Sequence, residues 1–262
     1  MSTPRLLLVN DDGVGAIGLQ RLAAAAHTVS DDVWTVAPDA ERSGASHAIS
    51  LTQPIRTRQL GEREFAVDGT PVDCVALALS ELLDAPPDLV LSGVNRGPNL
   101  GGDILYSGTC GAAREAALRG IPAVALSVAS VPGKQDDWGG VDKYLAPLLS
   151  QLVAARFSTF LNINFPSTPA DGIAGTQVTR VGSYPGNRFT AHLGRDPRDL
   201  PYWWLELNYT IGPAAAGTDI AAIHDGFISI TPLRVDMTDD AWLTDLEAAL
   251  SGESRHQHAP TG

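Results

Sequence analysis

The sequence predicts an α/β protein of three layers, in which helices cover both faces of a mostly parallel sheet and a smaller β-rich region follows. Residues 5–127 alternate short apolar β-rich runs with longer helical runs, which is the pattern of a parallel sheet with crossover helices. Beyond about Gly172 the chain is rich in Gly, Thr, Tyr and Trp and alternates in polarity, which is typical of β-strands.

The individual elements follow from the spacing of apolar residues. Continuous apolar runs predict strands at residues 5–10, 33–37, 88–92, 122–127 and 160–165. Helical spacing predicts helices at residues 18–28, 70–83, 109–119 and 141–157. Alternation within residues 49–67 indicates a hairpin rather than another crossover unit. Thr238 is predicted to cap a final helix that ends at Leu250.

Composition limits the classes of function. The net charge of −12 argues against a stable nucleic-acid partner, because binding to a phosphate backbone depends on Lys and Arg. The apolar run before Asp11 is too short for a signal peptide or a membrane span, so we expect a cytoplasmic protein without a membrane partner. Cys74 and Cys110 lie in apolar helical patterns and are predicted to be buried free thiols.

Polar side chains follow three of the predicted strands. Asp11 and Asp12 end the first strand, and Ser43 and Asn95 lie in the loops after two later ones. In an open parallel sheet, ligands bind outside the carboxyl ends of the strands, so these loops should meet at one edge. Carboxylate, hydroxyl and amide oxygens suit magnesium or manganese. The pattern predicts a divalent metal site, whereas the plainer alternative is that Asp11 caps a helix and Asp12 is solvated.

The first loop also contains a competing motif. Residues 13–18 match the GxGxxG fingerprint of NAD(P)-binding proteins, and Asp39 follows the next strand. Asp11 and Asp12 would repel a pyrophosphate by about 4 kcal/mol each at ~4 Å and an effective dielectric near 20. We therefore interpret the glycines as a turn and a close helix contact. An NAD(P)-binding oxidoreductase remains the alternative.

A second segment has the features of a phosphate site. Ser107, Gly108 and Thr109 follow the Asn95 loop and open a predicted helix. Free amides at a helix N-terminus, together with two hydroxyls, can hold a phosphate without Lys. A simple N-cap by Ser107 or Thr109 explains the segment equally well. Its position places it at the same edge as the acidic pair.

A series of short motifs runs through most of the chain. They are Val9-Asn10-Asp11-Asp12-Gly13, Gly69-Thr70-Pro71-Val72-Asp73, Val94-Asn95-Arg96-Gly97-Pro98-Asn99, Tyr106-Ser107-Gly108-Thr109 and Asn162-Ile163-Asn164-Phe165-Pro166, with further matches at residues 36–39, 42–46, 218–219 and 229–233. Together and in this order they resemble the survival protein SurE family of metal-dependent nucleotidases.

The resemblance implies a fold, an assembly and an activity. It implies a Rossmann-like core, which we place at residues 1–170, and a β-rich region at residues 171–250 that forms a homodimer or homotetramer. The polar composition of residues 251–262 separately predicts a flexible tail. It implies one divalent ion per subunit, Mg²⁺ or Mn²⁺. The expected reaction is hydrolysis of nucleoside 5′- and 3′-monophosphates, and in some family members of polyphosphate.

The resemblance also assigns roles to residues. Its metal ligands fall on the four oxygen donors that the strand ends predict, which are Asp11, Asp12, Ser43 and Asn95. Arg96, His47 and residues 186–204 depart from the family pattern, so substrate preference stays open. His47 is either a phosphate-facing acid or a hydrogen-bonded loop residue, and Arg42 either steadies a phosphate or pairs with Asp39.

The combined hypothesis is a metal-dependent phosphomonoesterase. Its expected catalytic residues are Asp11, Asp12 and Asn95, and its expected substrate and phosphate contacts are Asn10, Asn99, Ser107, Gly108 and Thr109. A metal-bound water and Asp11 are both candidate nucleophiles, because each route needs a carboxylate beside the ion. A partner-binding module without catalysis is the remaining alternative, and only the acidic surface supports it.

Overall fold

Eleven strands are found in the computed structural model, which describes residues 3–130, 133, 135–155, 157–183, 189–207 and 214–251. They are β1 Leu6–Val9, β2 Val33–Pro38, β3 Thr57–Gly61, β4 Glu64–Val67, β5 Leu89–Arg96, β6 Ala123–Ala129, β7 Phe160–Pro166, β8 Gly175–Val178, β9 Phe189–Arg195, β10 Pro201–Leu207 and β11 Phe227–Leu233. Nine of them form one sheet in the order β3-β4-β2-β1-β5-β6-β7-β11-β8. Only β3–β4 and β7–β11 pair in antiparallel fashion within it, so the predicted, mostly parallel sheet is confirmed.

Five helices of the described residues pack against the two faces of this sheet, and they are α1 Ile17–His27, α2 Pro71–Leu77, α3 Gly108–Leu118, α4 Gly139–Ala155 and α5 Asp219–His224. The last helix, α6 Asp240–Ser251, has no buried residue. Apolar residues of α1 and α4 form one buried cluster with the sheet, and those of α2 and α3 form another. The three-layer α/β prediction is therefore confirmed. None of these helices is long and apolar enough to cross a membrane.

The buried strand β1 shows why the sheet is covered on both sides. Leu6 and Leu8 belong to the cluster beneath α1 and α4, whereas Leu7 and Val9 belong to the cluster beneath α2 and α3. Successive side chains of a strand point to opposite faces, so a continuous apolar run has to be buried on both. The unpaired thiols of Cys74 and Cys110 are buried in the second cluster, as predicted.

The second predicted helix changes its geometry along its length. Thr70 and Asp73 form a capping box at its start, in which each side chain accepts the other's backbone amide. The regular α-helix ends at Leu77 and continues as a π-helical turn over Ala78–Leu82. Sequence spacing predicts the extent of this helical segment but not the π turn inside it.

The predicted hairpin within residues 49–67 is present only in its second half. β3 and β4 pair in antiparallel fashion, and β4 extends the main sheet beside β2. Residues 49–51 form no strand, although their alternation contributed to the prediction. Ser50 instead donates from its amide and hydroxyl to the two carboxylate oxygens of Asp73, which fixes this stretch as a loop over α2.

The C-terminal region is β-rich, as predicted, and its strands belong to two different sheets. β8 and β11 add to the main sheet next to β7, whereas β9 and β10 form a separate antiparallel hairpin. The hairpin contains most of the stretch of residues 186–204, of which 186–188 lie outside the described residues. The division into units of residues 1–170 and 171–250 remains a prediction, and residues 252–262 of the predicted tail are likewise outside the description.

The predicted cap of the final helix is wrong. α6 begins at Asp240, and the carboxylate of Asp239 accepts the amide of Ala241 at 3.2 Å. The hydroxyl of Thr238 donates to Asp236 instead. An aspartate at the N-cap position makes the same interaction as threonine, and the local sequence contains both residue types.

The glycines of the GxGxxG segment have structural roles. Gly13 has a φ of +96°, which favours glycine, and it forms the turn after β1. Gly18 lets α1 approach β5 so closely that an added Cβ atom would lie 1.8 Å from the carbonyl oxygen of Val94. The interpretation as a turn and a close helix contact is confirmed.

Substituting Gly18 tests this packing. Gly18→Ala is expected to lower the free energy of unfolding by about 1–3 kcal/mol or more, because α1 or β5 must move to admit the methyl group. Gly15→Ala is the matched control, since an added Cβ there meets nothing within 4 Å. Urea denaturation of both variants gives the comparison, and equal midpoints would contradict the close contact.

Candidate metal and phosphate site

The loops after β1 and β2 and the carboxyl end of β5 meet at one edge of the sheet, as predicted. The prediction that Asn95 lies in a loop after the strand is wrong, because β5 continues to Arg96 and pairs with β6 at Asn95. In the loop after β2, the amide of Arg42 donates to the carbonyl oxygen of Asp11 at 2.7 Å. At the end of β5, the amide of Arg96 donates to Oδ2 of Asp12 at 3.0 Å. Asp11 and Asp12 therefore lie where these three segments join.

Asp11 is buried against the N-terminus of α3 and is only 5% exposed. Its Oδ1 accepts the hydroxyl of Thr109 at 2.5 Å, and its Oδ2 accepts the amide of Thr109 at 3.3 Å. Burial raises the pKa of Asp11 to about 6, and the charge of Asp12 adds to the increase, while the bonds from Thr109 oppose it. The ionised carboxylate is thus poorly solvated, and a nearby cation would stabilise it.

A glycine allows this close approach of helix and carboxylate. A Cβ atom on Gly108 would lie 3.0 Å from Oδ2 of Asp11 and 3.2 Å from Cγ of Pro71 at the start of α2. At Gly108 the first turn of α3 therefore presents backbone to the acidic pair, and the next residue, Thr109, adds its hydroxyl. Such an approach suits an anion that binds at the helix N-terminus.

Asp12 is more accessible than Asp11 and is also desolvated. Desolvation raises its pKa, the hydrogen bond from the Arg96 amide lowers it, and the charge of Glu41 raises it. Neither neighbouring arginine forms a salt bridge with Asp11 or Asp12, because Arg42 in the loop after β2 pairs with Asp39 and Arg96 at the end of β5 pairs with Asp136. Among the described residues, the two adjacent carboxylates thus have no basic side chain as a salt-bridge partner.

The other two predicted metal ligands, Asn95 and Ser43, differ from each other in how close they lie to the acidic pair. The register between β5 and β6 shifts between Ser92 and Asn95, and such irregularities redirect side chains near functional sites. The side-chain nitrogen of Asn95 donates to the carbonyl of Gly97 at 2.8 Å, which leaves its oxygen as the ligand atom. Ser43 is exposed, and its hydroxyl donates to Glu41 at 2.6 Å. Asn95 is therefore next to the acidic pair, because the amide of the following residue, Arg96, binds Asp12. The hydroxyl of Ser43 points to Glu41 instead.

The donors at this edge fit a hard divalent cation. Carboxylate, amide and hydroxyl oxygens are the ligands that magnesium and manganese prefer. Asn10 adds a buried side-chain oxygen without a hydrogen-bond partner in the described chain, while its nitrogen donates to Gly13 at 2.8 Å. Among the residues that the structure describes, no cluster of three or more His, Cys, Asp and Glu side chains suited to a metal is found.

The predicted phosphate segment has internal contacts of its own. The side chain of Ser107 accepts the amide of Cys110 at 3.0 Å, so Ser107 is the N-cap that the simpler alternative described. The hydroxyl and amide of Thr109 are used by Asp11. These two residues fix the helix N-terminus against the acidic pair, and their contact with a phosphate remains a prediction.

Asn99 is the centre of a buried polar network. Its side chain donates to Ser127 at 2.8 Å, its amide donates to Asn164 at 2.9 Å, and its carbonyl accepts from Asn162 at 2.7 Å and from Asn164 at 3.1 Å. The network ties the loop after β5 to β6 and β7. Its members Asn162 and Asn164 were not predicted as site residues, although two asparagines in a buried apolar strand are a signal that could have identified them.

A further unpredicted contact comes from the C-terminal region. The buried carboxylate of Asp219 accepts the amide of Gly101 at 2.9 Å and the amide of Gly182 at 2.7 Å. Desolvation raises the pKa of Asp219, and these backbone bonds oppose the increase. Asp219 thus anchors the loop that follows Asn99.

The structure also gives the contacts of His47 and Arg42, for each of which the sequence left two roles open. His47 lies between Glu115 and Arg114 of α3, at 2.9 Å and 2.8 Å, which is the role of a hydrogen-bonded loop residue. Arg42 pairs with Asp39 at 3.2 Å, and both side chains are about 40% exposed, so solvent screens the pair and it contributes little to stability.

Comparisons with known proteins agree with this geometry. The family model of survival protein SurE matches residues 6–187. The protein "5′-nucleotidase SurE" of Erythrobacter litoralis is 46% identical over 244 residues, which cover 92% of this chain and 97% of that protein. The protein of the same name from Allorhizobium ampelinum is 44% identical over 253 residues, covering 95% and 98% of the two chains.

A solved structure agrees as well. The SurE protein from Aquifex aeolicus superimposes with a TM-score of 0.82 at 34% identity, covering 95% of this chain and 100% of that one. The match extends over the sheet, the helices and the C-terminal region. It does not favour an NAD(P)-binding oxidoreductase or a partner-binding module. The chain belongs to the SurE family.

Proposed function

We propose that this chain is a divalent-metal-dependent 5′-nucleotidase, which hydrolyses nucleoside monophosphates to nucleoside and phosphate. The observation that carries the proposal is the pair of desolvated carboxylates, Asp11 and Asp12, at the carboxyl edge of the sheet without a salt bridge among the described residues. A cation is the natural complement of such a pair, and it reverses the local field for an anionic substrate. The names of the relatives support the same reaction.

The residues at this edge of the sheet would bind the metal, position the loops and bind the phosphate. Asp11 and Asp12 would hold one magnesium or manganese ion, Asn95 would add its amide oxygen, and Ser43 would join after its hydroxyl leaves Glu41. When bound, the metal supplies Lewis acidity and lowers the pKa of a coordinated water. Asn10 and Asn99 would keep the loops in place. The N-terminus of α3, at Ser107, Gly108 and Thr109, would orient the phosphoryl group and stabilise its developing charge.

The finer properties follow the family resemblance. We include 3′-monophosphates and polyphosphate as further substrates, because the acidic pair and the α3 N-terminus would contact the phosphoryl group that all of these substrates share. A cytoplasmic location agrees with the two buried, unpaired cysteines.

The acidic pair can be tested by one neutral substitution. Asp12→Asn is expected to lower Mn²⁺-dependent phosphate release from AMP by about 100-fold or more, because it removes a charged ligand while preserving shape. Asp84→Asn is the matched control, since Asp84 is an exposed carboxylate paired with Arg5 at the opposite end of β1. Activity that persists in excess chelator would contradict a metal-dependent reaction.

The buried carboxylate makes a separate prediction about pH. In chelator, the folded-state pKa of Asp11, about 6, lies above its usual 3.8. Because Asp11 binds its proton more tightly in the folded protein than in the unfolded chain, this residue contributes its full share to the free energy of unfolding below about pH 4. That contribution is lost as the pH rises through 6. Asp11→Asn should therefore be more stable than the wild type by up to about 3 kcal/mol at pH 7.5, with little difference at pH 4.

Denaturation midpoints at several pH values give this comparison. Mn²⁺ at pH 7.5 should reverse the difference by stabilising only the wild type, because a ligand that binds the native state raises its stability. A gap between the two proteins that does not depend on pH would show that Asp11 is not desolvated.

We also propose that the chain assembles as a homodimer or homotetramer through the β9–β10 hairpin and α6. Both elements expose large apolar side chains, which are Trp203, Trp204, Leu205, Trp242, Leu246 and Leu250. Exposed apolar surfaces of this kind mark protein interfaces. Trp204→Glu should shift sedimentation velocity towards a smaller species, whereas Leu51→Glu, at an exposed apolar residue elsewhere, should not. A monomeric wild type at micromolar concentration would contradict the assembly.

A further inference from the structure

An aromatic pair lies at the start of α3, where Tyr106 stands two residues before Gly108 of the proposed phosphate site. The ring of Tyr106 meets the ring of Phe189, the first residue of β9, edge to face with centroids 5.6 Å apart and an interplanar angle of 86°. Tyr106 is 54% exposed even with this contact. Aromatic rings gain free energy when their faces are covered, so this ring offers a surface to a flat ligand.

The chain geometry places this surface close to the carboxylates. Tyr106 directly precedes Ser107, the N-cap of α3, and lies two residues before Gly108. A Cβ atom on Gly108 would be 3.0 Å from Oδ2 of Asp11. Two residues span at most about 7 Å, so the backbone of Tyr106 is near the proposed phosphate position. In a nucleoside monophosphate, only the ribose separates the phosphate from the base.

The backbone that carries the ring is fixed before any ligand binds. The carbonyl of Tyr106 accepts the amide of Ser46 at 3.0 Å, and the amide of Tyr106 donates to the carbonyl of Asp103 at 3.0 Å. The hydroxyl of Ser46 donates to the carbonyl of Leu105 at 2.5 Å. A surface held in this way loses little entropy when a ligand covers it.

We propose that Tyr106 and Phe189 form the surface on which the nucleobase of the substrate stacks. The inference rests on the proposed nucleotidase function and specifies how that site binds the nucleoside part. An aromatic ring contacts the face of a base and does not read the hydrogen-bonding groups at its edge, so purine and pyrimidine nucleotides both bind. The hairpin contributes to the site through Phe189.

A comparison of two esters tests the stacking surface. AMP and ribose 5-phosphate both carry a 5′-phosphate on a ribose, and only AMP carries a base. Tyr106→Ala is expected to lower kcat/KM for AMP by about 5- to 100-fold, mainly through KM, and to leave kcat/KM for ribose 5-phosphate unchanged. Tyr106→Phe should retain the wild-type preference for AMP, because stacking does not need the hydroxyl.

Tyr202→Ala is the matched control. Tyr202 is an exposed tyrosine of β10 whose ring lies over Gly194, five residues along β9 from Phe189, so the ratio of the two kcat/KM values should not change. Calorimetric titration with adenosine gives a readout without turnover, in which Tyr106→Ala should weaken binding by a similar factor. An equal loss of activity towards both esters would show that Tyr106 acts only on structure and would overturn the proposal.

The failure of the inference and the failure of the proposed function have different signatures. A wild type that releases no phosphate from either ester would contradict the nucleotidase, and the adenosine titration would still test the stacking surface. Phosphate release with a ratio that Tyr106→Ala leaves unchanged would contradict the stacking surface alone.

Discussion

The desolvation of two neighbouring carboxylates is the constraint on which the rest of the site depends. Asp11 is buried beneath α3, and its raised pKa shows that the ionised form is disfavoured until positive charge arrives. A fold that holds Asp11 and Asp12 in this state must provide a compensating interaction. The amide and hydroxyl of Thr109 provide part of it, and a divalent ion would provide the remainder.

The surrounding structure serves to hold this pair in place. Gly108 allows α3 to reach Asp11, and the amides of Arg42 and Arg96 bring the loops after β2 and β5 to the two aspartates. The polar network around Asn99 fixes the second of these loops to β6 and β7. Preorganised dipoles of this kind are effective because they need no rearrangement when charge develops.

Sequence alone could predict the sheet and the acidic pair, because both depend on local patterns. Continuous apolar runs mark parallel strands, and Asp11 and Asp12 directly follow one of them. The bond between Thr109 and Asp11 joins residues 98 positions apart, and no local pattern encodes it. The bond of Ser43 to Glu41 was missed for another reason, since an exposed hydroxyl has several partners within reach and its choice depends on loop geometry.

The proposed reaction requires Asp11 and Asp12 to share one divalent ion beside the N-terminus of α3. Anomalous diffraction from crystals grown with Mn²⁺ and inorganic phosphate would locate this ion. We expect a single manganese peak about 2.1 Å from a carboxylate oxygen of each aspartate, with phosphate between the ion and Gly108. A manganese peak at other residues, or none at these carboxylates, would contradict it.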